Sequence, residues 1–221
     1  MKRLISAVLF DLDGTLVDSA PDLAGTANDM LQRRSREPVP YAQLRLHAGS
    51  GARGMLGAAF GIAPGQDGYE ALRDEFLAHY ATRLLQETTA FEHALRMLES
   101  LDERGLPWGI VTNKSLHLAA PLATALGLLP RAAALVGGDS TPHTKPHPAP
   151  LLEAARRIGV EPAACVYVGD DHRDIKAGRA AGMGTLAAAW GYLGPDEPPE
   201  AWGADAVLGH AAELLRWLEL A

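Results

Sequence analysis

Cysteine is almost missing from this 221-residue chain: Cys165 stands alone, so no intramolecular disulfide framework holds the fold. Its surroundings, Ala163-Ala164-Cys165-Val166-Tyr167-Val168, read as a buried strand in which a thiol serves as a small core hydrophobe rather than a nucleophile. No apolar run is long enough to span a bilayer. No signal-like stretch with a small-residue cleavage site precedes the first strand, so the expected setting is the cytoplasm. Positive charge is also scarce. Twenty Lys and Arg face 27 Asp and Glu, a net charge of -7, without a long basic run. This balance argues against nucleic acid as a partner, although a local cationic site can still hold a small anion. Internal repeats and low-complexity linkers are absent too. What remains, 48% hydrophobic and 21% charged, is ordinary for a globular chain of one large domain or a core with a smaller companion.

The informative stretch is Val8–Ser19, VLFDLDGTLVDS. The apolar run Leu4 to Phe10 reads as a short buried strand that stops at Asp11-Leu12-Asp13-Gly14-Thr15. Alternation along an extended chain puts Asp11 and Asp13 on one side, and such neighbours repel unless a cation or a proton sits between them. Asp13-Gly14 alone reads equally as a turn, with Asp11 capping the segment after it. The whole string is more specific. DxDGTLxDS resembles the first motif of the haloacid dehalogenase superfamily, most of whose members are Mg²⁺-dependent phosphatases.

Beyond this stretch Ser19 is a candidate N-cap, Pro21 suits a first helical turn, and Asp22 suits the positive end of a helix dipole. To about Gln86 the chain reads as helices broken at Glu37-Pro38-Val39-Pro40, Gly49-Ser50-Gly51 and Ala63-Pro64-Gly65, with a long helix over Tyr69–Leu85. Strands and helices then alternate. A helix is expected over Glu92–Arg104, a strand over Pro107–Val111, a helix over Leu116–Leu126, a weaker strand over Ala133–Val136 and a helix after Pro148. Strand Ala164–Val168, a helix ending near Gly182, strands Gly184–Ala188 and Asp205–Leu208, and a helix over His210–Leu220 complete the chain. This order predicts an α/β fold, a Rossmann-like three-layer, mostly parallel sheet with ligands at the carboxyl ends of its strands. The helical stretch reads as an inserted domain, 18–87, in a core made of 1–17 and 88–221.

Three further signals follow strands or lie in loops. Thr112-Asn113-Lys114 ends the strand Trp108-Gly109-Ile110-Val111, where a hydroxyl and backbone N–H groups can hold phosphoryl oxygens, or simply cap the next helix. In His143-Thr144-Lys145-Pro146-His147-Pro148 the prolines keep Lys145 out of a helix, and a rigid ammonium beside the carboxylates would offset their repulsion. His143 and His147 read as loop histidines. Gly169-Asp170-Asp171-His172-Arg173-Asp174 follows a buried strand and offers carboxylates for an all-oxygen Mg²⁺ site. Asp170, nearest the strand end, is the firmest of these; Asp174 reads also as a helix cap and Asp171 as a solvated residue.

The four signals in this order resemble the four motifs of the haloacid dehalogenase superfamily over essentially the whole chain, and the helical insert resembles its type 1 cap. The resemblance implies Asp11 as nucleophile, Asp13 as general acid and base, and Thr112 with the backbone of Asn113 as phosphoryl ligands. It implies Lys145 as the charge-neutralising lysine. Mg²⁺ would be held by Asp11, the Asp13 carbonyl and Asp170, with Asp174, ahead of Asp171, as the second acid. Haloacid dehalogenases proper lack the acid at position 13, which disfavours carbon–halogen cleavage. The chain looks most like phosphoglycolate phosphatases. Its Gly51-Ala52-Arg53-Gly54, Trp108-Gly109 and Trp202-Gly203-Ala204-Asp205 resemble proteobacterial N-acetylmuramic acid 6-phosphate phosphatases.

Both substrates carry a phosphomonoester and a carboxylate, and Arg53 suits the latter, unless it is only an exposed helix arginine. The expected partner is a small phosphorylated metabolite, without nucleic acid or membrane, and the expected state is a monomer or homodimer. Two alternatives stand beside this reading. A sugar-phosphate mutase would share all four motifs. A non-catalytic phospho-receiver or phosphate-binding module would be shorter, lack the insert and place its phospho-accepting Asp on a later strand.

Overall fold

The computed structural model describes residues 4–194 and 197–220. The chain begins with β1 (Ala7–Phe10) and β2 (Val17–Asp18), followed by the helices α1 (Ala20–Gln32), α2 (Tyr41–Arg45), α3 (Gly51–Phe60) and α4 (Tyr69–Arg83). It returns through β3 (Thr89–Ala90), α5 (Glu92–Glu103), β4 (Trp108–Val111), α6 (Leu116–Ala125), β5 (Ala134–Val136) and α7 (Ala149–Ile158). The last elements are β6 (Cys165–Gly169), α8 (His172–Ala180), β7 (Gly184–Ala188), β8 (Ala206–Leu208) and α9 (Ala212–Leu220).

Six strands form one sheet in the order β5-β4-β1-β6-β7-β8, with every neighbouring pair parallel. Counted along the chain this is the doubly wound order 3-2-1-4-5-6, whose crossovers leave β1 towards opposite edges and open a crevice at the strand ends. Both faces are buried, which explains the continuous apolar runs in the sequence. Val8 and Phe10 join Trp108, Ile110, Val166 and Val168 on one face, where α5 (Leu98) and α6 (Leu122) cover them. Ala7 and Leu9 join Val111, Cys165 and Tyr167 on the other, beneath α7 (Leu151) and α8 (Ala177). The three-layer α/β architecture expected from the sequence is thus present, with the six-stranded sheet wholly parallel.

Helices α1, α3 and α4 pack on one another. Their buried residues Leu23, Met30, Leu56 and Phe76 continue the cluster of the first sheet face. The chain leaves for this helical segment and returns from it through a small antiparallel ribbon, Val17 opposite Ala90 and Asp18 opposite Thr89, which two-residue strands do not announce in the sequence. Asp22 does more than favour a helix dipole. It is fully buried, and its Oδ2 accepts from the backbone N–H of Glu87 and of Thr88 and from the Thr88 hydroxyl, so that it pins α1 to the returning chain.

Several limits differ from expectation. The first strand begins at Ala7, because Leu4 is 83% exposed. The long helix ends at Arg83, two residues before Leu85. Ser19 occupies the N-cap position of α1 but makes no side-chain cap; its hydroxyl turns to Asp13. His143 and His147 lie in a loop, ring against ring, with centroids 4.2 Å apart. Of the expected core, residues 1–3, 195–196 and 221 fall outside the described residues. Among the described residues no helix is long and apolar enough to cross a membrane.

Candidate active site

β1, β4 and β6 lie side by side at the switch point, and each is followed directly by a polar residue: Asp11, Thr112 and Asp170. A cavity of about 350 Å³ opens over Asp11, Asp13, Thr112, Lys145 and Asp174. Its opposite wall comes from the helical segment, with Tyr69, Phe76, Leu77 and Tyr80 as apolar surface and Arg53 and Arg73 as cations.

Lys145, expected as an ammonium beside the acids, reaches in from the loop after β5 and is 4% exposed. Its Nζ stands 2.8 Å from Oδ1 of Asp11 and 2.8 Å from Oδ1 of Asp174. It also donates to the Tyr167 hydroxyl at 2.8 Å and to the Val111 carbonyl at 3.1 Å. The loop is braced by Asn113, whose side-chain amide donates to the Lys145 carbonyl and whose Oδ1 accepts from the Lys145 N–H. Burial alone would lower the Lys145 ammonium, but Asp11 and Asp174 overcome it and hold the group charged. Asp11 is fixed further by the Leu12 N–H, which donates to its Oδ1 at 2.7 Å.

Asp170 is 2% exposed and among the described residues receives only neutral donors: the Thr15 hydroxyl at 2.9 Å on Oδ1 and the Tyr192 N–H at 2.8 Å on Oδ2. Burial, then the neighbouring Asp11 and Asp174, push its carboxyl well above the ordinary range. The Asp174 carboxyl is pushed up to about 7 by burial, against the pull of Lys145 and with the repulsion of Asp11. Burial, outweighing Lys145, raises Asp11 as well. One oxygen from each of Asp11, Asp170 and Asp174 falls within 4.8 Å of the others. Two buried carboxylates and the partly buried Asp11 sharing one ammonium leave negative charge uncompensated. Hard oxygen donors are the set preferred by a small divalent cation, so the residues fit Mg²⁺.

Asp13 holds a different set of contacts. Its Oδ1 accepts from the Ser19 hydroxyl, and Lys114 donates to both of its oxygens, at 2.8 and 3.0 Å. Lys114 also donates to the Tyr80 hydroxyl of α4 at 3.0 Å. Asp13 and Tyr80 overcome burial to keep this ammonium charged, shifting it upwards. In the sequence Lys114 stands out only as a neighbour of Thr112 and Asn113, and Tyr80 does not stand out at all; a cation following the strand-end Thr is the one available signal.

Thr112 caps no helix. Its hydroxyl accepts from the Lys114 N–H at 3.1 Å and holds the loop, while α6 begins later, after Ser115. Asp171 is not simply solvated: it caps α8 by accepting from the Arg173 N–H, with Asp174 completing a capping box. Its carboxylate pairs with the Arg173 guanidinium, which donates to the Gly49 carbonyl of the helical segment. Asp174 is therefore the acid that meets Asp11, Asp170 and Lys145, and Asp171 lies outside that group. Arg53 stands in the first turn of α3, exposed, on the cavity wall and without a carboxylate partner among the described residues. Arg73 is already paired with Glu70 and Asp74. Trp190 donates to the Thr15 carbonyl, and the buried Tyr192 hydroxyl accepts from the Ser19 and Ala20 N–H groups.

The family model of haloacid dehalogenase-like hydrolases matches residues 5–182, which include every strand-end residue described above. The chain belongs to the haloacid dehalogenase-like hydrolases. It is 48% identical over 212 residues to a phosphoglycolate phosphatase of Xanthomonas campestris pv. campestris, covering 96% of each chain. It is 41% identical over 217 residues to an N-acetylmuramic acid 6-phosphate phosphatase of Pseudomonas putida, covering 98% of this chain and 97% of the relative. Its fold matches the crystal structure of a predicted phosphoglycolate phosphatase from Haemophilus somnus 129PT with a TM-score of 0.84 and 27% identity, over 96% of this chain and 97% of that one. This haloacid dehalogenase-like hydrolase is accordingly an enzyme of the phosphatase class.

Proposed function

We propose that the enzyme is a Mg²⁺-dependent phosphomonoesterase working through an aspartyl-phosphate on Asp11. The observation that carries this reading is the meeting of Asp11, Lys145, Thr112 and Asp13 around one cavity, with Asp170 and Asp174 beside Asp11. A carboxylate of Asp11 attacks phosphorus in line, forming the Asp11 O–P bond as the ester P–O bond breaks, and Asp13 gives its proton to the leaving oxygen. Asp13 then takes a proton from the water that attacks the same phosphorus. The Asp11 O–P bond breaks and inorganic phosphate leaves. Lys145 and the Thr112 hydroxyl meet the charge of the phosphoryl oxygens, where most of the advantage in phosphoryl transfer lies. Mg²⁺, held by the carboxylates of Asp11 and Asp170 and the Asp13 carbonyl with Asp174 alongside, would supply further charge neutralisation.

The helical residues 18–87 act in this reading as a cap over a core of 1–17 and 88–221, and Arg53 of the cap receives the substrate carboxylate. A cavity of about 350 Å³ with one apolar wall has room for a sugar-sized ester, which favours N-acetylmuramic acid 6-phosphate over the two-carbon 2-phosphoglycolate. The reading also carries a cytoplasmic setting and a chain acting alone or as a homodimer. The test is phosphate release from both esters and other phosphomonoesters, with Mg²⁺ and with EDTA. Mg²⁺-dependent release supports the reading; conversion of a sugar phosphate to its isomer without net phosphate release replaces it with a mutase.

A further inference from the structure

Lys114 stands at a junction that the proposed reaction does not use. It lies in the loop between β4 and α6, its side chain 8% exposed, and its Nζ bridges both oxygens of Asp13 to the Tyr80 hydroxyl. The Tyr80 ring also faces the ammonium, with its centroid 4.8 Å away. A withdrawn ammonium is costly unless its partners are well placed, so Asp13 and the buried Tyr80 together define where Lys114 rests.

The geometry also acts on Asp13. A cation shared by both oxygens resists rotation of the carboxylate about Cβ–Cγ, and the Ser19 hydroxyl adds a second donor on Oδ1. Oδ1 then accepts two hydrogen bonds and Oδ2 only the longer one from Lys114, which leaves Oδ2 the less occupied of the two oxygens. We propose that Lys114 is the positioning residue for Asp13, and that Tyr80 of α4 seats Lys114, so that the helical segment completes the acid–base geometry of the core. The inference rests on the reading of Asp13 as general acid and base.

The experiment compares first-turnover rates of Lys114→Met and Asp13→Asn on two esters. One is N-acetylmuramic acid 6-phosphate or 2-phosphoglycolate, whichever wild type prefers, whose alkoxide leaves only with a proton. The other is p-nitrophenyl phosphate, whose phenolate leaves without one. Both variants are expected to lose about 100-fold or more on the alkyl ester and less than about fivefold on p-nitrophenyl phosphate, the span general acid catalysis supplies. Lys114→Arg, which keeps a cation, should recover part of the alkyl-ester rate. Tyr80→Phe, which removes one oxygen and keeps the ring, should move in the same direction by a smaller factor, and it carries the comparison if Lys114→Met does not fold. Equal losses on both esters in the Lys114 variant, or in Tyr80→Phe, beside a discriminating Asp13→Asn overturn the inference. Equal losses in Asp13→Asn overturn the acid–base reading beneath it.

Discussion

Gly14 and Asp170 are in such close approach that a Cβ on Gly14 would lie 2.1 Å from Oδ2 of Asp170. Gly14 also has φ +85°, a conformation that side chains disfavour. On its other side Asp170 meets Gly191, where a Cβ would lie 2.2 Å from the Asp170 Cβ. The acid at the end of β6 is thus clasped between two glycine backbones, one supplied by the turn that follows β1. The glycine of DxDGT serves the last motif as much as the first.

Gly14→Ala should therefore displace the Asp170 carboxylate. The expected result is a loss of about 2 kcal/mol in stability from strain and clash, with at least a tenfold higher Mg²⁺ concentration for half-maximal activity. Denaturant unfolding and a Mg²⁺ titration of activity check both parts. Wild-type Mg²⁺ dependence in this variant would show that the contact is incidental.

Asp170→Asn should trade function for stability. The wild-type carboxylate is buried beside two other acids and has only neutral donors among the described residues, so neutralising it removes repulsion; the Asn oxygen can keep the Tyr192 N–H while the Thr15 hydroxyl turns to accept from the amide NH₂. In EDTA the variant should be more stable by about 1 kcal/mol, a rise of roughly 2–4 °C in Tm for a chain of this size. Mg²⁺ should raise the Tm of the wild type and leave the variant unchanged. An equal Mg²⁺-induced shift in both would remove Asp170 from the metal site.

Arg53→Ala should raise KM for a carboxylate-bearing ester about 10-fold or more, the loss of one charge-assisted pair, with a much smaller change for p-nitrophenyl phosphate, which has no carboxylate. Steady-state kinetics on the two esters check this. Parallel changes would make Arg53 an exposed helix residue without a part in specificity.

His93 provides a pH dependence away from the cavity. Its half-buried ring stacks on Phe91 and meets Trp190 edge-on, with the His210 ring 4.9 Å away. Burial, then His210, lowers its imidazole below the ordinary 6.5. Above 6.5 both folded and unfolded forms are neutral there. As pH falls below 6.5 the unfolded chain takes up a proton that the folded ring refuses, so stability declines until the lowered folded value is passed. Denaturant unfolding at pH 7.5 and 5.5 should show a smaller decline in His93→Phe than in wild type; an identical decline would place the pH dependence elsewhere.

Much of this is legible in the sequence because parallel strands buried on both faces are continuous apolar runs, and the runs of β1, β4 and β6 are each followed by a polar residue. Asp11, Thr112 and Asp170 can be located in that way, and their meeting follows from the doubly wound order. The features that are not legible depend on long-range partners. Nothing local tells Ser19 to turn to Asp13 rather than cap α1, or Asp22 to seek the N–H groups of Glu87 and Thr88. Tyr80 meets Lys114 only because α4 folds back over the sheet end. The ribbon of β2 and β3 is too short for any periodicity to show.

In the proposed reaction every phosphoryl group passes through Asp11. Rapid acid quench of the enzyme turning over a ³²P-labelled phosphomonoester, followed by peptide mapping, would trap that intermediate. A hydroxylamine-labile label is expected on the peptide containing Asp11 in wild type, and neither label nor turnover in Asp11→Asn. Phosphate release by the wild type with no label on that peptide at any quench time, together with turnover by Asp11→Asn, would contradict it.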